Sequence, residues 1–216
     1  MNRYVKYILG LATMALGVVL MKKATLGITP ITSLPLALNE VLPVLSLGNW
    51  TILFHILCIV AIILITKKVA IKTLLMFPVG ICFGYFIDFL LWLWQFETDV
   101  LWLRIILLVV GIPVSGLGVA LINDADLMLP SPDGLIRTIS SVYHKRYPIV
   151  KIIGDCTWVA CAVIIELSVL HRLQAVNVGT IASALLVGRT IKIWNQLLFS
   201  GDRSVADALP KTGNTE

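Results

Sequence analysis

The sequence predicts an all-α polytopic membrane protein: six transmembrane helices plus two short re-entrant helices, built as an inverted internal repeat. Three observations predict it. The 216 residues are 58% hydrophobic and only 13% charged, with a mean hydropathy of +0.95. Soluble domains carry about 25% charge, so a chain this apolar needs the bilayer as its solvent. Six stretches are long and apolar enough to cross, because a spanning helix needs about 20 mostly apolar residues. Finally, a shift of 101 positions lays Gly10, Leu16, Gly17, Val18, Leu20, Ala24, Leu26 and Leu34 on Gly111, Leu117, Gly118, Val119, Leu121, Ala125, Leu127 and Leu135. Shared Leu and Val are expected by chance in such a chain, so the paired glycines carry the weight.

In chain order the expected spans are 4–21, 49–66, 70–94, 101–122, 149–170 and 175–199. Between the first two spans of each half lie 26–45 (LGITPITSLPLALNEVLPVL) and 127–146 (LMLPSPDGLIRTISSVYHKR). Pro30, Pro35 and Pro43 argue against a simple helix in the first, since proline removes a backbone donor and crowds the preceding turn. Asp133, Arg137, His144, Lys145 and Arg146 make the second too charged to cross lipid. Both therefore read as short or re-entrant helices.

Charge orients the chain. Arg3/Lys6, Lys67/Lys68/Lys72, Arg137/Lys145/Arg146/Lys151 and Arg203/Lys211 fall on one side of a six-span topology. Lys22/Lys23, Arg104 and Arg172 fall on the other. The excess marks the first side, and both termini, as cytoplasmic. Three spans per repeat is an odd number, so the second copy is inserted upside down. The expected organisation is one membrane domain over 1–216: a first repeat over 1–100, a second over 101–200 and a cytoplasmic tail over 201–216. Trp92, Trp94 and Trp102, beside Gln95, Glu97 and Asp99, fit an aromatic belt at the outer interface.

The net charge of +5 comes from segment ends, so it reads as a topology signal and no nucleic-acid partner is expected. Cys58, Cys82, Cys156 and Cys161 lie in apolar runs without metal-ligand spacing, so no metal or other cofactor is expected. The N-terminus lacks a small-residue cleavage site and reads as a retained first helix. Leu209-Pro210-Lys211-Thr212-Gly213 resembles a sorting signal, but only Asn214, Thr215 and Glu216 follow it; it is read as coincidence.

The candidate site lies at the beginnings of the two short segments. Thr29-Pro30 and Ser131-Pro132-Asp133 are both helix-start patterns: a hydroxyl to cap free N–H groups, and a proline suited to the first turn. Helix starts inside a membrane protein direct free N–H groups and a positive dipole end at whatever lies between them. Thr29, Pro30, Thr32, Ser33, Ser131, Pro132, Asp133 and Gly134 are therefore the expected solute-binding residues. His55 and Asp155, aligned by a shift of 100, and Asp88 and Lys192, aligned by a shift of 104 with Gly84 on Gly188, are candidate proton-coupling groups. Charges within lipid are expensive and usually face partners or a pathway. Structural readings stand beside these: Lys151 and Asp155, one turn apart, can pair, and Arg189 and Lys192 can snorkel to a cytoplasmic end. The glycines Gly10, Gly17, Gly80, Gly84, Gly111, Gly118, Gly154, Gly179 and Gly188 read as helix-packing contacts.

Gly17-Val18-Val19-Leu20 leading to Leu26-Gly27-Ile28-Thr29-Pro30-Ile31-Thr32-Ser33-Leu34 resembles the YczE/YyaS/YitT-type bacterial integral membrane proteins. So do Gly118-Val119-Ala120-Leu121 leading to Asp126-Leu127-Met128-Leu129-Pro130-Ser131-Pro132-Asp133-Gly134-Leu135, and the later Gly179-Thr180-Ile181 with Gly188. Thr32-Ser33 stands where an aromatic–acid pair is expected, which leaves Asp133 as the sole acid at the two matched motif positions. The resemblance implies a bacterial inner or plasma membrane location and carries over no biochemical activity.

No nucleophile elbow, P-loop, HExxH or paired-carboxylate spacing appears, so an enzyme is not expected. The expectation is a membrane transporter of a small polar or anionic solute, with the lipid bilayer and that solute as partners and a homo-oligomer compatible with it. The alternative is a non-transporting scaffold or accessory subunit. An acid at Asp133 conflicts with an anionic solute unless it is protonated or paired.

Overall fold

The computed structural model describes residues 2–198; the expected tail, 201–216, with its sorting-like motif, lies outside them. The described residues form eight α-helices and no strand: α1 Arg3–Ala24, α2 Pro30–Val41, α3 Leu47–Thr66, α4 Ile71–Leu93, α5 Leu101–Ala125, α6 Ser131–Val142, α7 Tyr147–Val169 and α8 Val178–Leu198. Five of them, α1, α3, α4, α5 and α7, are long and apolar enough to cross a membrane. The sixth expected span forms α8, 21 residues long, but its Arg189, Lys192, Asn195 and Gln196 keep it outside that group. Tyr85, Trp92, Trp102, Ile152, Ile164 and Leu185 are each more than 60% exposed, an apolar surface of the kind a membrane protein presents.

The two short segments contract to 12 residues each, about 18 Å of helix, well short of a hydrocarbon core about 30 Å thick. Their bounds differ by 101 at both ends. Three prolines do not prevent α2. Pro30 takes the first position, where no hydrogen bond is lost, and Pro43 lies past the end, so only Pro35 sits inside. The expected hydroxyl caps do not form. Thr29 precedes α2 without a capping bond, and its hydroxyl meets that of Thr32 at 2.6 Å. Ser131 is already inside the first turn of α6, behind Pro130, and its hydroxyl donates to the His55 carbonyl at 3.1 Å. A buried carbonyl needs a donor, and that need takes the hydroxyl from the helix end.

The core centres on α1, the most buried of the five long helices, which packs most extensively on α5. The two run antiparallel, because Gly10 lies beside Gly118 while Gly17 lies beside Gly111. A Cβ at Gly10 would sit 3.0 Å from the Gly118 carbonyl oxygen, and one at Gly111 would sit 3.1 Å from that of Gly17. Small residues let the two backbones approach. Both helices end in a left-handed cap, at Thr25 with φ 54° and Asp126 with φ 48°.

The remaining packing comes in pairs. α1 lies on α4, and α5 on α8. α2 lies on α7, and α6 on α3. α2 touches α3 and α8, while α6 touches α7 and α4. Exchanging each helix for the one four places along maps this set onto itself. Only the α3–α4 contact has no counterpart of similar extent, because α7 and α8 stand apart.

Candidate functional site

The starts of α2 and α6 meet at one small cavity, about 10 Å³, the space of about one water molecule. Thr32 and Pro35 come from α2, Pro132 and Asp133 from α6, and Thr51 and His55 from α3. Met14 of α1 and Phe83 of α4 close it. His55 is only 3% exposed. Its ring lies 5.8 Å from that of Phe83, and its Nδ1 has no hydrogen-bond partner among the described residues. Gly80 makes room for it, since a Cβ there would come within 2.8 Å of the His55 Cβ. An unpartnered buried imidazole nitrogen beside a one-water space is a place to hold a polar group.

Asp133 is paired. Lys151 Nζ lies 2.8 Å from Asp133 Oδ1 and 3.1 Å from Asp155 Oδ1. The pairing of Lys151 with Asp155 follows from their spacing on α7. The bond from α7 to the first turn of α6 is long-range in sequence and joins both carboxylates through one ammonium. These side chains keep 16–27% exposure, so the triad is reachable rather than sealed. It carries one negative charge overall when all three groups are ionised, and Lys151 supplies the counter-charge that a lone acid at Asp133 lacked.

Not every expected residue joins. Thr29 contacts the group only through Thr32. Ser33 is fully buried, and its hydroxyl donates to the Pro30 carbonyl at 2.6 Å. Ser131 joins α6 to α3 through the His55 carbonyl. Gly134 faces Met76, whose methyl a Cβ would meet at 2.9 Å. Asp88 accepts from the Ser46 hydroxyl at 2.5 Å and from the Gly48 N–H at 2.8 Å, which fastens α4 to the start of α3. Lys192 is exposed on α8. Thr51 and the link from Lys151 to Asp133 escaped sequence reasoning. A signal existed: stepping one turn back from the His55/Asp155 alignment gives Thr51 and Lys151, both at the site.

A family model described as a family of unknown function (DUF6198) matches residues 1–196. The chain belongs to the DUF6198 family. The match takes in seven helices and all but the last two residues of α8, so both halves of the cavity lie within the DUF6198 region. No curated protein and no solved structure matches the chain.

Proposed function

We propose that this DUF6198 protein is a membrane transporter of a small polar or anionic solute, built as two inverted repeats around the α2–α6 junction. One observation carries the reading: the beginnings of two 12-residue helices, one from each half, line the same cavity. Transporters with inverted repeats place substrate sites at such discontinuous helices near the midplane. The antiparallel α1–α5 pair and the paired helix contacts support the repeat. In this reading α2 and α6 are re-entrant and α8 completes six spans, with Arg189 and Lys192 snorkelling to the cytoplasmic side. Both termini are cytoplasmic, in a bacterial inner or plasma membrane, and the finer kinship is to the YczE/YyaS/YitT-type proteins. Thr32 and Asp133 contact the solute, Lys151 balances the charge, and His55 with the Asp133–Lys151–Asp155 triad carries a coupled proton.

The second reading is a non-transporting scaffold or accessory subunit. What favours it is the size of the central cavity, since one-water space is nearly dry. A transporter caught closed at its centre has the same feature, so function must separate the two. A thermal-shift screen of polar metabolites on purified protein finds binders, because a ligand of the folded state stabilises it. Proteoliposome uptake of those binders then compares wild type with Asp133→Asn, which keeps volume but removes the charge. The expected result is uptake by wild type, reduced at least tenfold in Asp133→Asn at unchanged folding. Binders without uptake in any gradient, or no binder at all, would leave the scaffold standing.

A further inference from the structure

A larger cavity, about 420 Å³, opens where α1 ends and α5 begins, at the end of the molecule opposite the α1 N-terminus. Its walls hold charges of both signs. Lys22 and Lys23 come from the last turn of α1, Glu40 from the end of α2, Glu97 and Asp99 from the approach to α5, and Arg104 from its first turn. Arg104 and Asp99 neutralise each other at 2.7 Å. None of the other four has an ion-pair partner within 4.0 Å among the described residues. Lys22 donates to the Asn39 side chain at 3.1 Å, and Lys23 lies 5.9 Å over the Phe96 ring. The α1 dipole accounts for lysines at that helix end. It does not account for carboxylates lining the same space without joining them.

The walls are held in place from behind. Arg104 Nε donates to the Thr98 carbonyl at 2.7 Å. Gln174, with its amide oriented by its neighbours, reaches Glu40 Oε2 at 2.9 Å and Arg172 Nε at 2.7 Å. Glu166, fully buried, accepts from the Ala175 N–H at 2.7 Å and the Gln174 N–H at 3.1 Å. Charges held apart on a braced wall are preorganised for a ligand that supplies both missing partners. A ligand with a single charge would satisfy one wall and leave the other bare.

We propose that this cavity binds a small zwitterion, its anionic group toward Lys22 and Lys23 and its cationic group toward Glu97 and Glu40. The volume is that of a small-molecule site. Two sources carry this chemistry: a free amino acid or ω-amino acid, and the ammonium–phosphate headgroup of a phospholipid. The proposal concerns binding and stands whether or not the chain transports.

The test uses the full chain in nanodiscs of phosphatidylglycerol, which has no ammonium. Glycine, 4-aminobutyrate and 6-aminohexanoate span a range of charge separations; butyrate and butylamine are the single-charge controls. Calorimetry and thermal unfolding are read for wild type, Lys23→Gln, Glu97→Gln and the exposed control Lys68→Gln. The lipid arm replaces part of the phosphatidylglycerol with phosphatidylethanolamine. At least one amino acid, or phosphatidylethanolamine, should raise the unfolding midpoint where the controls do not. Its affinity or shift should fall at least tenfold in both Lys23→Gln and Glu97→Gln, and stay in Lys68→Gln. Response to the amino acid identifies a free solute; response to phosphatidylethanolamine alone identifies a lipid headgroup. No response in either arm, equal response to butyrate or butylamine, or full response in both cavity variants overturns the proposal. Binding without uptake overturns only the transport reading.

Discussion

Glycines in this protein differ by what faces them. A Cβ at Gly17 would collide with the Ser115 backbone, and one at Gly118 with the Met14 backbone. These two contacts are the same contact seen from each helix, one turn apart near the middle of α1, since Met14 and Ser115 are also 101 apart. Backbone cannot yield as a flexible side chain does, so the helices must separate. Gly188 has nothing within 4 Å of a Cβ. Gly17→Ala should therefore lose about 1–3 kcal/mol through overpacking, while Gly188→Ala should be neutral or slightly stabilising through helix propensity. Reversible unfolding in detergent measures both, and equal effects would contradict the close α1–α5 approach. Gly27 is a different case, with φ 118° and the Thr180 N–H against it. Any side chain there strains the backbone as well as the α8 contact.

At the scale of elements, α6 is tied to α7 by Asp133 and Lys151 and to α3 by Ser131. Removing one member of a buried ion pair leaves the other without compensation. With 16–27% exposure retained in the triad, Lys151→Ala should cost about 1–3 kcal/mol rather than the full penalty of a sealed pair. The double variant Asp133→Asn/Lys151→Ala should recover part of that loss, because one carboxylate, Asp155, is then left uncompensated instead of two. A double-mutant cycle reads the coupling, and additive losses would show that the two side chains do not act as a pair. The α8 start depends on a second set of ties. The Gly179 N–H donates to the Leu26 carbonyl at 2.6 Å, and the Ile28 N–H donates to Thr180 Oγ1 at 3.2 Å. Thr180→Val keeps the shape but removes that acceptor, so it should speed hydrogen exchange at Ile28 and lower stability by about 1–3 kcal/mol. Unchanged exchange there would assign the tie to Gly179 alone.

For the whole molecule, the proposed six-span topology puts the 95–100 loop outside and the Lys67–Lys68 turn inside. A cysteine replacing Glu97 should react with an impermeant maleimide added to intact cells, once the native cysteines are replaced. One replacing Lys68 should react only after lysis. Outside labelling at Lys68 would invert the topology and move the 420 Å³ cavity to the cytoplasmic face. The space between α7 and α8 is where the two halves differ most. Asp155, the positional mate of the enclosed His55, keeps its exposure.

By itself the sequence determined the helical, membrane-type character of this protein, the separateness of the two short helices, and the Lys151–Asp155 pair. Each depends on local rules: apolar run length, proline position, and neighbours one turn apart. It also singled out Thr32 and Asp133, because they stand at helix-start patterns, and His55, because an ionisable group in an apolar span is conspicuous. Only the tertiary structure decided that these three meet, that Lys151 also reaches Asp133, and that Asp88 fastens α4 to α3. It decided too that the hydroxyls of Thr29 and Ser131 bond elsewhere than at the helix ends. Apart from the Thr29 bond, which stays within one turn, those outcomes depend on which helix faces pack across 18 to 101 positions of chain. The 420 Å³ cavity was illegible for the same reason. Its charges come from three separate segments, and each alone reads as an ordinary helix end or loop.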